Sequence, residues 1–165
     1  MQQPSRSASR RRIAIVTALV GLGSLLVVAC TPPPAPLPAA NYVTIRDTWA
    51  LSAGSGSMSA ALGVLENSAG RDITVIAATS DISPSMELHE TVPNGSGGTT
   101  MQPKAGGFKI PAGGEYVLQP GGDHLMLMRL TRTLRAGETV TVTLTFDDGS
   151  TKQFTATARN FTWPM

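Results

Sequence analysis

Thr139-Val140-Thr141-Val142-Thr143-Leu144-Thr145-Phe146, followed by Asp147-Asp148-Gly149 and then by Thr151–Ala158, is the stretch that decides the fold. Val140, Val142, Leu144 and Phe146 alternate strictly with four threonines, the period-2 pattern of a strand with one buried and one wet face. Asp-Asp-Gly supplies the turn chemistry for a hairpin into the next strand. Working outward, Val43–Ile45, Ala60–Leu65, Ile73–Ala78, Met86–His89, Phe108–Ile110, Tyr116–Leu118 and Leu125–Leu130 are further short apolar stretches between turn signals. No convincing run keeps helical spacing. Many short strands without intervening helices predict an all-β, antiparallel sandwich or barrel.

The first forty residues differ from the rest. Residues 1–12 are polar and carry Arg6, Arg10, Arg11 and Arg12; Ile13–Ala29 is an uncharged apolar segment of seventeen residues, closing on Val27-Val28-Ala29-Cys30. A basic start, an apolar run and small residues at its end predict an export signal. The closing residues resemble a bacterial lipobox, which implies lipidation of Cys30. The alternative is a membrane anchor, for which seventeen residues lie at the short edge of the roughly 17–25 needed. Thr31–Ala40 has five prolines in ten residues and no charge, so it predicts a stiff polyproline II stalk about 30 Å long. The expected organisation is residues 1–30 as signal, 31–40 as linker and 41–165 as the folded domain, exported and held at the extracytoplasmic face of the cell membrane.

The formal charge is +2, but without the four leading arginines nine basic residues face eleven acidic ones, a balance of −2. The basicity therefore belongs to targeting, and nucleic acid is excluded as an expected partner. Cys30 is the single cysteine, so the domain has no thiol for a disulfide, a thiolate metal site or a blue-copper centre. Nor does it offer a plausible nucleophile–base pair, and no enzymatic activity is expected.

What the domain does carry is a sparse set of soft donors. In Pro120-Gly121-Gly122-Asp123-His124-Leu125-Met126-Leu127-Met128 a turn runs into a strand whose His124, Met126 and Met128 share one face. His124 and Met126 lie about 6.6–6.8 Å apart along it, close enough to converge on one ion. The only other histidine is His89, and Met101 lies between the two. Two imidazoles and two thioethers form an uncharged set suited to Cu(I) rather than to zinc, magnesium or calcium. Against this, methionine is common core filler, and histidines in a β domain are often turn or surface residues. Met58 and Met86 are expected to pack, and Met128 is the candidate for an additional sulfur. Glu87 either orients the His89 ring or sits in solvent, and Trp49 and Trp163 are expected to serve core and tail packing.

Glu87-Leu88-His89-Glu90, Met101, Ile110-Pro111-Ala112-Gly113-Gly114, Leu118 through Met128 and Leu134-Arg135-Ala136-Gly137-Glu138, together with Trp49 and Glu66-Asn67, resemble the periplasmic copper chaperones of the PCu(A)C type. The resemblance implies a cupredoxin-like Greek-key β-sandwich and puts the four Cu(I) ligands on His89, Met101, His124 and Met126. Both spacings that flank Met101 are about one residue longer than the family's pattern, a difference that loops absorb cheaply. The His- and Met-rich tail of some members is missing, which implies one copper site. The expected function is a lipid-anchored metallochaperone passing Cu(I) to a membrane-bound acceptor such as cytochrome c oxidase subunit II. The alternatives are copper sequestration and a metal-free, lipid-anchored interaction module.

Overall fold

The structure is a computed structural model and describes residues 35–161. The expectations placed on residues 1–30, on Cys30, on the start of the proline stalk and on Trp163 lie outside the described residues. Ten strands follow a short 3-10 turn at Ala39–Asn41: β1 (Val43–Leu51), β2 (Ser59–Asn67), β3 (Ile73–Ser80), β4 (Ser85–Pro93), β5 (Thr99–Pro103), β6 (Phe108–Ile110), β7 (Glu115–Leu118), β8 (His124–Met128), β9 (Thr139–Phe146) and β10 (Thr151–Arg159). Hydrogen bonding runs β5-β4-β8-β2-β1-β10-β9-β3-β6, with β7 also on β2. Every pairing is antiparallel except β1 with β10, where Trp49 stands beside Thr157 in a parallel register. The path curls over so that β3 packs against β4, giving a sandwich around one core.

The alternation of β9 is realised in full. Val140, Val142, Leu144 and Phe146 are completely buried, each such burial contributing about 1.5–3 kcal/mol. Gly149, at φ 79°, closes the turn into β10, and Phe146 N–H donates to the Ser150 carbonyl. The same face logic holds on the opposite layer, where Leu88 of β4 and Leu125 and Leu127 of β8 enter the core. Their neighbours in sequence, His89, His124 and Met126, therefore face away from it.

Two departures have local causes. β5 has no counterpart among the expected strands, because all five of its residues are exposed and it has no buried face to impose a period. β1 runs six residues beyond Ile45, because a bulge between Arg46 and Trp49 breaks its alternation. Asp47 takes φ 54° at that bulge. Gly63 lies against it at φ 152°, where a Cβ would stand 2.9 Å from the Arg46 carbonyl oxygen. Met86 packs against the core as expected. Met58 does not: it precedes β2 and is 58% exposed. Trp49 packs on Phe161, ring centroids 5.5 Å apart.

Buried polar groups stitch the ends of the sandwich. Asn67 is 2% exposed; its amide donates to the carbonyls of Arg71, Ile110 and Pro111, while its own oxygen accepts from Ala69 N–H. Asp148 accepts from Ser150 and, at 2.6 Å, from Ala39 N–H, so the β9–β10 turn holds the entry to the domain. Those bonds, that of the Ser150 hydroxyl first, hold the Asp148 carboxyl down to about 2.

Asn67→Ala removes the side chain that, among the described residues, answers these carbonyls, and is expected to lower unfolding stability by about 2 kcal/mol or more in urea denaturation. Because the Asp148 pKa is depressed in the folded state, its contribution is complete above 3.8 and is lost as pH falls from there toward about 2. The melting temperatures of wild type and Asp148→Asn are thus expected to differ at pH 6 and to converge through that window.

Candidate metal centre

The central feature is a cross-strand pair. β4 and β8 run antiparallel with His89 directly opposite His124 and Glu87 opposite Met126, so all four side chains share one face. The two rings meet edge to face, centroids 5.6 Å apart at 66°. His89 is 8% exposed and His124 1%. Each ring is tethered through one nitrogen: His89 Nε2 lies 2.8 Å from Glu87 Oε2, and His124 Nδ1 lies 3.0 Å from the Gly122 carbonyl oxygen.

Those partners decide the tautomers. A carboxylate and a carbonyl can only accept, so His89 carries its proton on Nε2 and His124 on Nδ1. The remaining nitrogens, His89 Nδ1 and His124 Nε2, are then lone-pair acceptors. Both are buried without any hydrogen-bond partner. Neither can satisfy the other, because both accept; a cation satisfies both. Burial, followed in importance by the neighbouring His89 among the lowering effects, pushes the His124 pKa below its ordinary value against the opposing Gly122 bond. The ring is therefore kept neutral, the form that binds metal.

The turn before β8 is built to hold His124. Gly122 N–H donates to Gln119 carbonyl, Gly121 takes φ 74° between them, and Gln119 N–H donates to Asp123 carbonyl. The Gly122 carbonyl accepts from the Thr91 hydroxyl as well as from His124, pinning β4 to the turn. Asp123 accepts the hydroxyl of Tyr116, which stacks on Phe108, and stands 3.5 Å from Lys104 Nζ. Lys104 bridges on to Glu90 at 2.8 Å. The turn was legible in Gly121-Gly122-Asp123, but the role of Gly122 lies in its carbonyl, which no residue type advertises.

The methionines divide. Met126, 8% exposed, is the diagonal neighbour of His89 and two residues from His124, each about 7 Å between Cα atoms. Met101 lies on the same face of β5, opposite Thr91 and 49% exposed. It is diagonal to His89 on the other side, with Pro103 filling the place directly beside that histidine. Met101 and Met126 thus stand two strands apart and four residues out of step, about 16 Å between Cα atoms in a flat ladder. The structure brings His89, His124 and Met126 together and leaves Met101 at the rim. Among the described residues no three His, Cys, Asp or Glu side chains cluster, so a metal held here draws on sulfur.

Residues 43–158 match the model of the LpqE-like lipoprotein family. A protein of Leifsonia xyli subsp. xyli named as a lipoprotein, Lxx21020, is 39% identical over 151 residues, covering 92% of this chain and 90% of its own length. Among solved structures, CuI-DR1885 from Deinococcus radiodurans is 34% identical, with 73% of this chain and 82% of that one covered and a TM-score of 0.53. The copper-bound PCuAC domain from PmoF2 shares the fold at 18% identity, with 74% and 97% coverage and a TM-score of 0.60. The resemblance to the PCu(A)C type read from the sequence is shown by these matches.

Long-range proton–nitrogen NMR of the metal-free protein is expected to find His89 as the Nε2–H tautomer and His124 as the Nδ1–H tautomer. Glu87→Leu should release His89 into a mixture of tautomers and leave His124 unchanged.

Proposed function

The chain belongs to the LpqE-like lipoprotein family of PCu(A)C type, and from that premise we propose that it is an extracytoplasmic Cu(I) metallochaperone, tethered to the cell membrane by lipid on Cys30. The observation that carries the reading is the pair of orphaned imidazole nitrogens, His89 Nδ1 and His124 Nε2, buried side by side. Leaving two acceptors unpaired costs about 1–3 kcal/mol each, a cost that a bound cation removes. The thioether of Met126 on the same face selects a soft ion, and Cu(I) is the biological ion that prefers uncharged nitrogen and sulfur donors. DR1885, over a third identical in the matched region, is a protein solved both as the apo form and with Cu(I).

In this reading His89, His124 and Met126 hold the ion and Met101 is the fourth donor, brought in by a bend of the exposed strand β5 toward His89. All four donors bind through lone pairs, two on imidazole nitrogens and two on thioether sulfurs, and the thioethers have no proton to lose. Release proceeds by ligand exchange. An incoming donor displaces the most exposed thioether first, and the ion leaves without its bare form meeting water. The acceptor is a membrane-bound copper site, such as that of cytochrome c oxidase subunit II. Tethering through Cys30 and the proline stalk raises the effective concentration of the chaperone at such a partner. Among the described residues no helix is long and apolar enough to cross a membrane. A sequestering protein would share the ligand set but would gain nothing from a donor left at the rim.

Anaerobic Cu(I) titration of the full chain in detergent, with X-ray absorption at the copper edge, tests the proposal. One tight equivalent with mixed nitrogen and sulfur neighbours is expected. The affinity should fall at least about tenfold in Met126→Ala, and the site should be lost in the double variant His89→Ala, His124→Ala. Binding that ignores all of these substitutions would leave a tethered β-sandwich with some other partner.

A further inference from the structure

The face that carries the histidines continues past them. Met126 pairs with Ala60 of β2, and the register continues from Ser59 opposite Leu127. Extended one step past the end of β2, the same register sets Met58 opposite Met128. That step is bounded on its far side by the bond from Leu130 N–H to the Ser57 carbonyl, 2.9 Å. The odd residue between is Arg129, at φ 50°, which absorbs the extra position as a bulge. Met128 is itself held in place, since its carbonyl accepts from the Ser83 hydroxyl at 2.7 Å and its partner on β4 is Ser85.

Three thioethers therefore occupy adjacent places on one face. In that extended register Met58 and Met128 stand about 5 Å apart between Cα atoms, and Met126 is the diagonal neighbour of one and two residues from the other, each about 7 Å away. Exposure rises outward along this row, from 8% at Met126 through a half-buried Met128 to 58% at Met58. A 58% exposed methionine beside a half-buried one leaves the outer end of the row open to an incoming ion. Leu125 and Leu127 on the opposite face do the packing for this strand.

We propose that Met58, Met128 and Met126 form a second site for a soft monovalent cation, an all-thioether site that shares Met126 with the histidine pair. The shared sulfur makes the two sites successive stations: an ion held by Met58 and Met128 reaches the histidines by exchanging thioethers for imidazoles, with Met126 bound throughout. Three thioethers without imidazole bind more weakly than the mixed set, and the outer station loads after the inner one. Its role in transfer rests on the copper reading of His89 and His124, whereas its existence does not.

Silver(I) is a redox-stable probe for such a site, and methionine methyl NMR reads it residue by residue. With the full chain in detergent, the first equivalent of Ag(I) is expected to move the Met126 methyl, and further Ag(I) to move Met58 and Met128 together. In Met58→Leu, Met128→Leu the first equivalent should persist and the second be lost. In His89→Ala, His124→Ala the coupled Met58 and Met128 shifts should remain, so failure of the histidine reading is distinguishable from failure of this one. No shift at Met58 and Met128 under excess Ag(I) would overturn the proposal. A shift of Met58 alone would overturn it too, because it would report a lone exposed thioether.

Discussion

Two buried imidazoles, face to edge across one pair of strands, set the terms for this end of the molecule. Each turns one ring nitrogen to an acceptor, Glu87 for His89 and the Gly122 carbonyl for His124. What is left is a pair of lone pairs in a dry place. In an ordinary core such groups are avoided, because a buried acceptor with no donor loses its water and gains nothing in return. Here the cost is incurred twice, at adjacent positions, and the arrangement is comprehensible as a site that waits for positive charge. The depressed pKa of His124 is part of the same arrangement: a proton is the cheapest cation, and burial makes it unwelcome.

The surrounding structure serves to keep the two rings from relaxing. A one-residue slip of β8 against β4 would carry His124 into the core and Leu125 out of it, and separate the two histidines. The register is held against that slip by Leu88, Leu125 and Leu127 on the inner face, and by the Thr91–Gly122 bond at the end of the pairing. The turn before β8 is in turn tied through Asp123 to Tyr116 and Lys104. Close backbone contact fixes the β5–β6 connection as well, since a side chain at Gly107 would meet the Val75 carbonyl oxygen at 2.1 Å. Rigidity is thus concentrated behind the imidazoles, while Met101 lies exposed on the margin.

That division suits a carrier more than a store. The histidines and Met126 are almost shut off from solvent, whereas Met101 and Met58 lie half open at opposite margins of the same face. Thioether bonds to Cu(I) need no proton movement to form or break, so under the proposed function exchange at these margins would be gated by geometry alone. Arrival and departure can then use different edges of one surface.

The sequence alone determined the class of fold and narrowed the candidate donors. The alternation of Val140 to Phe146 with threonines can be satisfied only by a strand with one face buried, and the scarcity of His, together with a single Cys at position 30, leaves few candidates for any metal chemistry. It could not show β5, because a strand exposed along its whole length carries no hydrophobic period. It also could not show that Met101 stands a row away from His89, that Met58 is exposed rather than packed in the core, or which imidazole nitrogens lack a hydrogen-bond partner. Those facts depend on cross-strand register and on the acceptors that happen to lie beside each ring. Such contacts join residues distant along the chain, His89 with His124 and Thr91 with Gly122, and only the folded sheet brings them within reach of one another.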